Sequence, residues 1–156
     1  MTWPSLVATL LGAVIALSSA LLVERRRERK EERIERHRIK REVYVRYLAA
    51  HADARTELRV LSVSADVPDE ERHHRAFTAY AACYAARYEL AILAPESVLA
   101  STREFDRCAR ELRDLVIDGT NMRAPAGGLP RMQRYLEAMK AAQSAMRVDL
   151  GVDPSV

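Results

Sequence analysis

The chain has 156 residues, of which 49% are apolar, 30% charged and 6% aromatic. That length suits one modest domain once an N-terminal segment is set aside, and only five glycines and six prolines fit a helical chain better than a strand-rich one. The net charge of +3 is unevenly spread: residues 24–46 carry 11 basic and 6 acidic side chains, a local +5, and residues 47–156 carry 14 basic and 16 acidic, a local −2, so basic character belongs to one short segment.

The first element is Trp3 to Val23, 21 residues without a charge. At about 1.5 Å per residue they reach roughly 31 Å as a helix, the thickness of a hydrocarbon core. Thr9, Ser18 and Ser19 can bond back to helix carbonyls, Pro4 suits a first turn, and Trp3 suits the headgroup boundary. No Lys or Arg precedes the stretch, whereas Arg25, Arg26, Arg27, Arg29, Lys30, Arg33, Arg36 and Arg38 follow it. The positive-inside rule then places the N-terminus outside and the remainder in the cytoplasm of a cell bounded by this plasma membrane. A cleaved secretory signal would need a basic n-region and a shorter apolar core, and neither is present. Ala8, Gly12, Ala16 and Ala20 recur at every fourth position, a small-residue face on which a second copy or another membrane protein could pack.

Residues 24–42 read as a charged helical stalk. Arg25, Arg29, Arg33, Arg36 and Lys40 form a basic stripe, and Arg27–Glu31 and Glu32–Arg36 are spaced as i,i+4 pairs. Arg25, Arg26, Arg27, Arg29, Lys30 and Arg33 are the expected contacts to anionic lipid headgroups. Interspersed glutamates break any phosphate track, which argues against nucleic acid.

Residues 43–151 read as a helical bundle with a tail at 152–156. The first helix carries Val43, Tyr47, Ala50, Ala54, Leu58 and Leu61 at helical spacing, with His51 beside the stripe, bordering the core or paired with a carboxylate, and ends near Ser64-Ala65-Asp66. A second helix starts around Pro68 with Asp69, Glu70 and Glu71 in its first turn, presents Phe77, Tyr80, Ala81, Tyr84, Tyr88, Ala91 and Ile92, and stops at Ala94-Pro95. A third opens at Pro95 or Glu96, carries Val98, Thr102, Phe105, Ala109, Leu112 and Val116, and ends at Asp118-Gly119. After the loop 119–129, a fourth runs from Pro130 to about Leu150 with Met132, Leu136, Met139, Gln143, Met146 and Leu150 on one side, read as core. Short turns imply antiparallel neighbours. The expected fold is all-α: an N-terminal transmembrane helix continuous with a cytosolic antiparallel four-helix bundle.

Glu70-Glu71-Arg72-His73-His74 contains two overlapping E-x-x-H spacings, half of a di-iron bundle site. No second E-x-x-H exists, since Ile34 and Leu48 stand three residues before His37 and His51, so Glu70, His73 and His74 are weak metal candidates and a solvated first turn is the plainer reading. No cofactor motif, catalytic triad or Walker loop is present, and Gly127-Gly128 is followed by Leu-Pro. Cys83 and Cys108 read as packed thiols.

The order of anchor, Val23-Glu24-Arg25-Arg26-Arg27, Glu/Arg stalk, Val43-Tyr44-Val45-Arg46-Tyr47-Leu48 and later Leu93-Ala94-Pro95 resembles a diffuse set of small single-span membrane proteins of high-GC actinobacteria, a resemblance that implies no activity. In outline the chain is also similar to the b subunit of the ATP synthase stator, but that family continues as one polar helix, and here Pro68, Pro95, Gly119 and Pro130 fold the chain back. The functional expectation is a non-enzymatic, membrane-anchored scaffold or partner-recruiting protein that self-associates. The alternatives are a metal- or ligand-binding bundle and an accessory subunit of a larger membrane complex.

Overall fold

The computed structural model describes the backbone of residues 3–152 and the side chains of residues 24–152. It has four α-helices: α1 (Trp3–Val63), α2 (Asp69–Leu93), α3 (Glu96–Ile117) and α4 (Gly128–Asp149), with no strand among the described residues. The chain divides into two compact units, Met1–Ile39 and Lys40–Val156. In the first unit the expected stalk pairs form, Arg27 to Glu31 at 3.0 Å and Arg36 to Glu32 at 2.9 Å, and residues 24–38 are all exposed. The expected span 1–23, with its Ala8, Gly12, Ala16 and Ala20 face, lies outside the residues whose side chains are described. Among the described residues no helix is long and apolar enough to cross a membrane.

The second unit is the bundle. Its helix directions follow from cross-helix pairs. Arg46 reaches Glu89, and Arg75 reaches Glu57, which sets α1 against α2 head to tail. Lys40 bonds Asp149 at 3.0 Å and the Arg55 guanidinium stands 5.9 Å from the Tyr135 ring, which sets α1 against α4 in the same sense. Lys40 thus leaves the expected solvated stripe: with the Tyr44 hydroxyl, which donates to Asp149 at 2.6 Å, it fastens the start of the bundle to its last turn. The compact unit accordingly begins at Lys40, a little before the expected boundary at residue 43.

The turns are built by identifiable chemistry. Arg72 is buried, and its guanidinium donates to the Leu61, Ser64 and Val67 carbonyls, tying the end of α1 and the turn after it to the start of α2. Pro68 precedes α2, and Ala94 is held extended before Pro95, which ends α2 and opens α3. At the end of α3 the Gly119 and Thr120 amides donate to Val116 and Leu115 with Gly119 at φ +75°, the left-handed helix stop that glycine permits.

α4 begins at Gly128, two residues before the expected Pro130. The reason is Gly128 itself: a Cβ there would lie 2.3 Å from the Asn121 carbonyl oxygen and 2.4 Å from the Met122 carbonyl carbon, so the loop folds directly onto the helix start. Met122, a loop residue, is buried at 1% exposure.

The core draws on every helix. In α1, Val43, Tyr44, Tyr47, Ala54, Leu58 and Leu61 are buried, and in α3 the whole expected stripe is. α4 is rotated slightly from expectation: Tyr135, Ala138, Ala142 and Met146 face inward, while Met132, Leu136, Met139, Gln143 and Leu150 are half-buried.

α2 corrects the sequence reading most. Its buried residues are Arg72, Ala76, Tyr80, Cys83, Ala86 and Leu90. Phe77, Tyr88 and Ile92, expected in the core, are 41%, 64% and 81% exposed. Residues 76–93 carry only two charges, Arg87 and Glu89, so apolar side chains occupy both sides of the helix, and the side with Ala76, Tyr80, Cys83, Ala86 and Leu90 packs inward.

Candidate interaction surface and the buried polar cluster

The outward side of α2 has a regular geometry. Phe77, Ala81, Tyr84, Tyr88 and Ala91 follow one another at four- and three-residue steps, with Thr78, Ala85 and Ile92 alongside. That is a heptad seam, the spacing by which one helix lies along another. All of these are exposed except Tyr84, which is half-buried. Of the two charges nearby, Glu89 is drawn off toward α1 and Arg87 lies against the seam rings. Glu89 accepts from Arg46 of α1 at 2.8 Å. Arg87 lies over the Tyr84 and Tyr88 rings, at 5.7 Å and 5.4 Å.

The seam is also propped from behind. The buried Arg113 guanidinium sits 4.5 Å from the Phe77 ring and 5.2 Å from that of Tyr80. It donates to the Tyr84 hydroxyl at 3.1 Å and to Asp114. Aromatic rings held by arginines are the residue types that dominate protein interfaces, because they bury much area while losing little side-chain freedom.

Inside the bundle a second polar arrangement crosses from α1 to α3. His51 is 2% exposed, with its ring 4.6 Å from Phe105, 4.7 Å from Tyr47 and 5.8 Å from Tyr80. Asp106 is equally enclosed, and its Oδ1 accepts from the Tyr47 hydroxyl at 2.7 Å. His51 Nε2 stands 3.1 Å from the same oxygen, yet a ring N–H there does not align with it, so Nε2 has no true hydrogen-bond partner. Tyr80 donates to the Asp106 carbonyl at 3.4 Å. The pairing of His51 with a carboxylate is therefore realised as close approach.

Burial, reinforced by the Asp106 charge, pushes the Tyr47 and Tyr80 hydroxyls far above the usual phenol range. Burial chiefly, then Asp106, pushes the Cys83 thiol up to about 12, and burial takes the Tyr135 hydroxyl up to about 12. These groups are locked in their protonated forms at neutral pH. The gap beside His51, lined by Tyr80, Ala109 and Tyr135 among others, is about 10 Å³, room for at most one water. The cluster is a packed polar layer that fixes the pairing of α1 with α3, a device for structural uniqueness more than a reaction chamber.

The residues singled out as metal candidates do not assemble. Glu70, His73 and His74 are exposed on the first turns of α2 in a shallow, open depression that includes Phe77, and His73 stacks on that ring at 4.8 Å. Among the described residues no three His, Cys, Asp or Glu side chains converge on a point where a metal ion could sit. Cys83 and Cys108 are free thiols and buried. Arg25, Arg26, Arg27, Arg29, Lys30 and Arg33 are exposed.

Sequence reasoning missed Asp106, although an acid directly after Phe105 and four residues past Thr102, inside an apolar stripe, was its signal. It also missed Arg113. No family model, no curated protein and no solved structure matches this chain.

Proposed function

We propose that this protein is a membrane-tethered helical module that self-associates, holding its bundle at the cytoplasmic face as a scaffold. The observation that carries the reading is α2: Phe77, Tyr88 and Ile92 face solvent while Ala76, Tyr80, Cys83, Ala86 and Leu90 fill the core. Contiguous apolar surface of this kind is uncommon on a monomer and marks a contact site.

The occupant is a second copy of the chain. A heptad seam is self-complementary in a parallel, in-register pair, where Phe77, Ala81, Tyr84, Tyr88 and Ala91 each meet their own counterpart. Parallel pairing is also what two copies anchored by N-terminal spans in one membrane would adopt. No like charges meet across the seam: the flank that carries Arg87 faces the partner flank at Ile92. The tether is supported by the uncharged stretch Trp3 to Val23 followed by Arg25-Arg26-Arg27, and the Ala8, Gly12, Ala16 and Ala20 face gives a second contact within the bilayer.

In this reading the chain performs no catalysis and holds no cofactor, its partners are anionic lipid headgroups and its own second copy, and nucleic acid is not among them. Alkaline carbonate washing leaves the protein in the membrane pellet, and lysine-reactive crosslinking of those membranes traps a dimer. Tyr88→Glu and Gly12→Ile each reduce the dimer at least severalfold. Release by carbonate removes the tether. A dimer untouched by Tyr88→Glu removes α2 as the contact, and crosslinking to a different protein in its place favours an accessory-subunit role.

A further inference from the structure

A groove of about 590 Å³ opens on the bundle between the last turns of α1, the loop after α3 and the first turns of α4. It lies among elements the α2 seam does not include. Its walls are apolar: Val60 and Val63 from α1, Met122 from the loop, and Leu129, Met132 and Leu136 from α4. Three arginines share the same lining, Arg55, Arg59 and Arg123, and no aspartate or glutamate does.

These guanidinium groups differ from the arginines of the bundle that are held in ion pairs. Arg46, Arg75, Arg107, Arg113 and Arg134 each hold a carboxylate. Among the described residues Arg59 and Arg123 have no carboxylate within salt-bridge reach, and Arg55 is engaged only with the face of Tyr135. The neighbouring hydroxyls are already committed, Thr56 donating to the Ala52 carbonyl and Ser62 to that of Arg59. The groove therefore offers positive charge without local neutralisation beside an uncommitted apolar wall. Its size falls within the range of small-molecule pockets, which run to roughly 300–1,000 Å³.

We propose that this groove binds a small amphipathic anion, a phosphate or carboxylate head on an apolar body, with the head on Arg59 and Arg123 and the body against Met132 and Leu136. Guanidinium groups match such heads through two parallel N–H donors, and the apolar wall selects against inorganic anions. The inference does not rest on self-association through α2.

The test uses the full chain in nanodiscs of zwitterionic lipid, labelled with ¹³C at the methionine methyls, and 2-naphthyl phosphate as probe. Met122 and Met132 line the groove, and Met139 and Met146 do not. Binding is expected to move the Met122 and Met132 signals and leave Met139 and Met146 in place. Inorganic phosphate and neutral 2-naphthol should each bind at least tenfold more weakly. Arg59→Ala and Arg123→Ala should each weaken the probe at least tenfold, and neither side chain has an internal partner whose loss would disturb the fold. Tyr88→Glu should leave binding unchanged.

A shift of Met132 on replacing the lipid by phosphatidylglycerol, with no probe added, identifies a lipid phosphate as the occupant, whereas a shift with the probe alone identifies a free anion. The proposal is overturned if neither moves Met132, if the arginine variants bind as the parent does, or if 2-naphthol binds as well as its phosphate.

Discussion

Asp106 is the side chain on which the bundle interior turns. It is enclosed, it accepts from Tyr47 at 2.7 Å, and it stands 3.1 Å from His51. Its removal leaves the buried Tyr47 hydroxyl with only the Thr102 carbonyl at 3.4 Å, so Asp106→Ala should lower the unfolding free energy by about 2 kcal/mol. Asp106→Asn, which keeps an oxygen acceptor, should cost less, and denaturant titration of the two variants measures the difference. The raised pKa values set a second expectation. Cys83 rises from 9.0 to about 12 and Tyr135 from 10.0 to about 12 on folding, and Tyr44, Tyr47 and Tyr80 rise as well. The folded state therefore holds these protons more tightly than the unfolded chain does. The stability this contributes is complete below pH 9 and is lost as pH climbs toward 12. Thermal melts should show a plateau through pH 8.5 and a steady fall beyond it, and a fall beginning near pH 7 would contradict the assignment. The sequence carried only a faint trace of this, an acid directly after Phe105 in an apolar stripe, whose role is decided by the facing histidine and tyrosine.

Among the elements, α3 was the most legible and α2 the least. The α3 stripe from Val98 to Val116 is buried as its spacing implies, because charged residues occupy the opposite side and leave one choice. α2 gives no such choice. Periodicity reports that a face is apolar but not what covers it, and the heavier face, with Phe77, Tyr88 and Ile92, lies outward. α4 was read nearly in place, its start displaced because Gly127-Gly128 looked like loop, whereas the absent Cβ of Gly128 is what lets residues 121 and 122 close over the helix. Gly128→Ala should therefore destabilise the bundle by roughly 2 kcal/mol, since backbone atoms, not a yielding side chain, block the added methyl. Gly119→Ala, where nothing lies within 4 Å and only the φ of +75° is at stake, should cost about 1 kcal/mol. Equal losses in thermal melts of the two variants would contradict the packing argument.

At the scale of the whole molecule, the bundle is closed inside and unfinished outside. His51, Asp106 and Tyr47 fill its centre and leave about 10 Å³ free, whereas α2 turns Phe77, Tyr88 and Ile92 to solvent. The local charge of +5 over residues 24–46 against −2 over 47–156 marks a change along the chain, and the compact second unit begins at Lys40. What covers α2 was not legible, because a seam and a core stripe have the same spacing. The most direct measurement is a disulfide across the seam in isolated membranes. Ala81 occupies the position where two parallel helices approach closest, and the native Cys83 and Cys108 are buried, so the parent chain is its own control. Under mild oxidation Ala81→Cys should run as a dimer on non-reducing gels, while the parent and Glu137→Cys, on the exposed side of α4, remain monomeric. An Ala81→Cys protein that stays monomeric, or a Glu137→Cys protein that dimerises equally well, would contradict a pairing of two chains through α2.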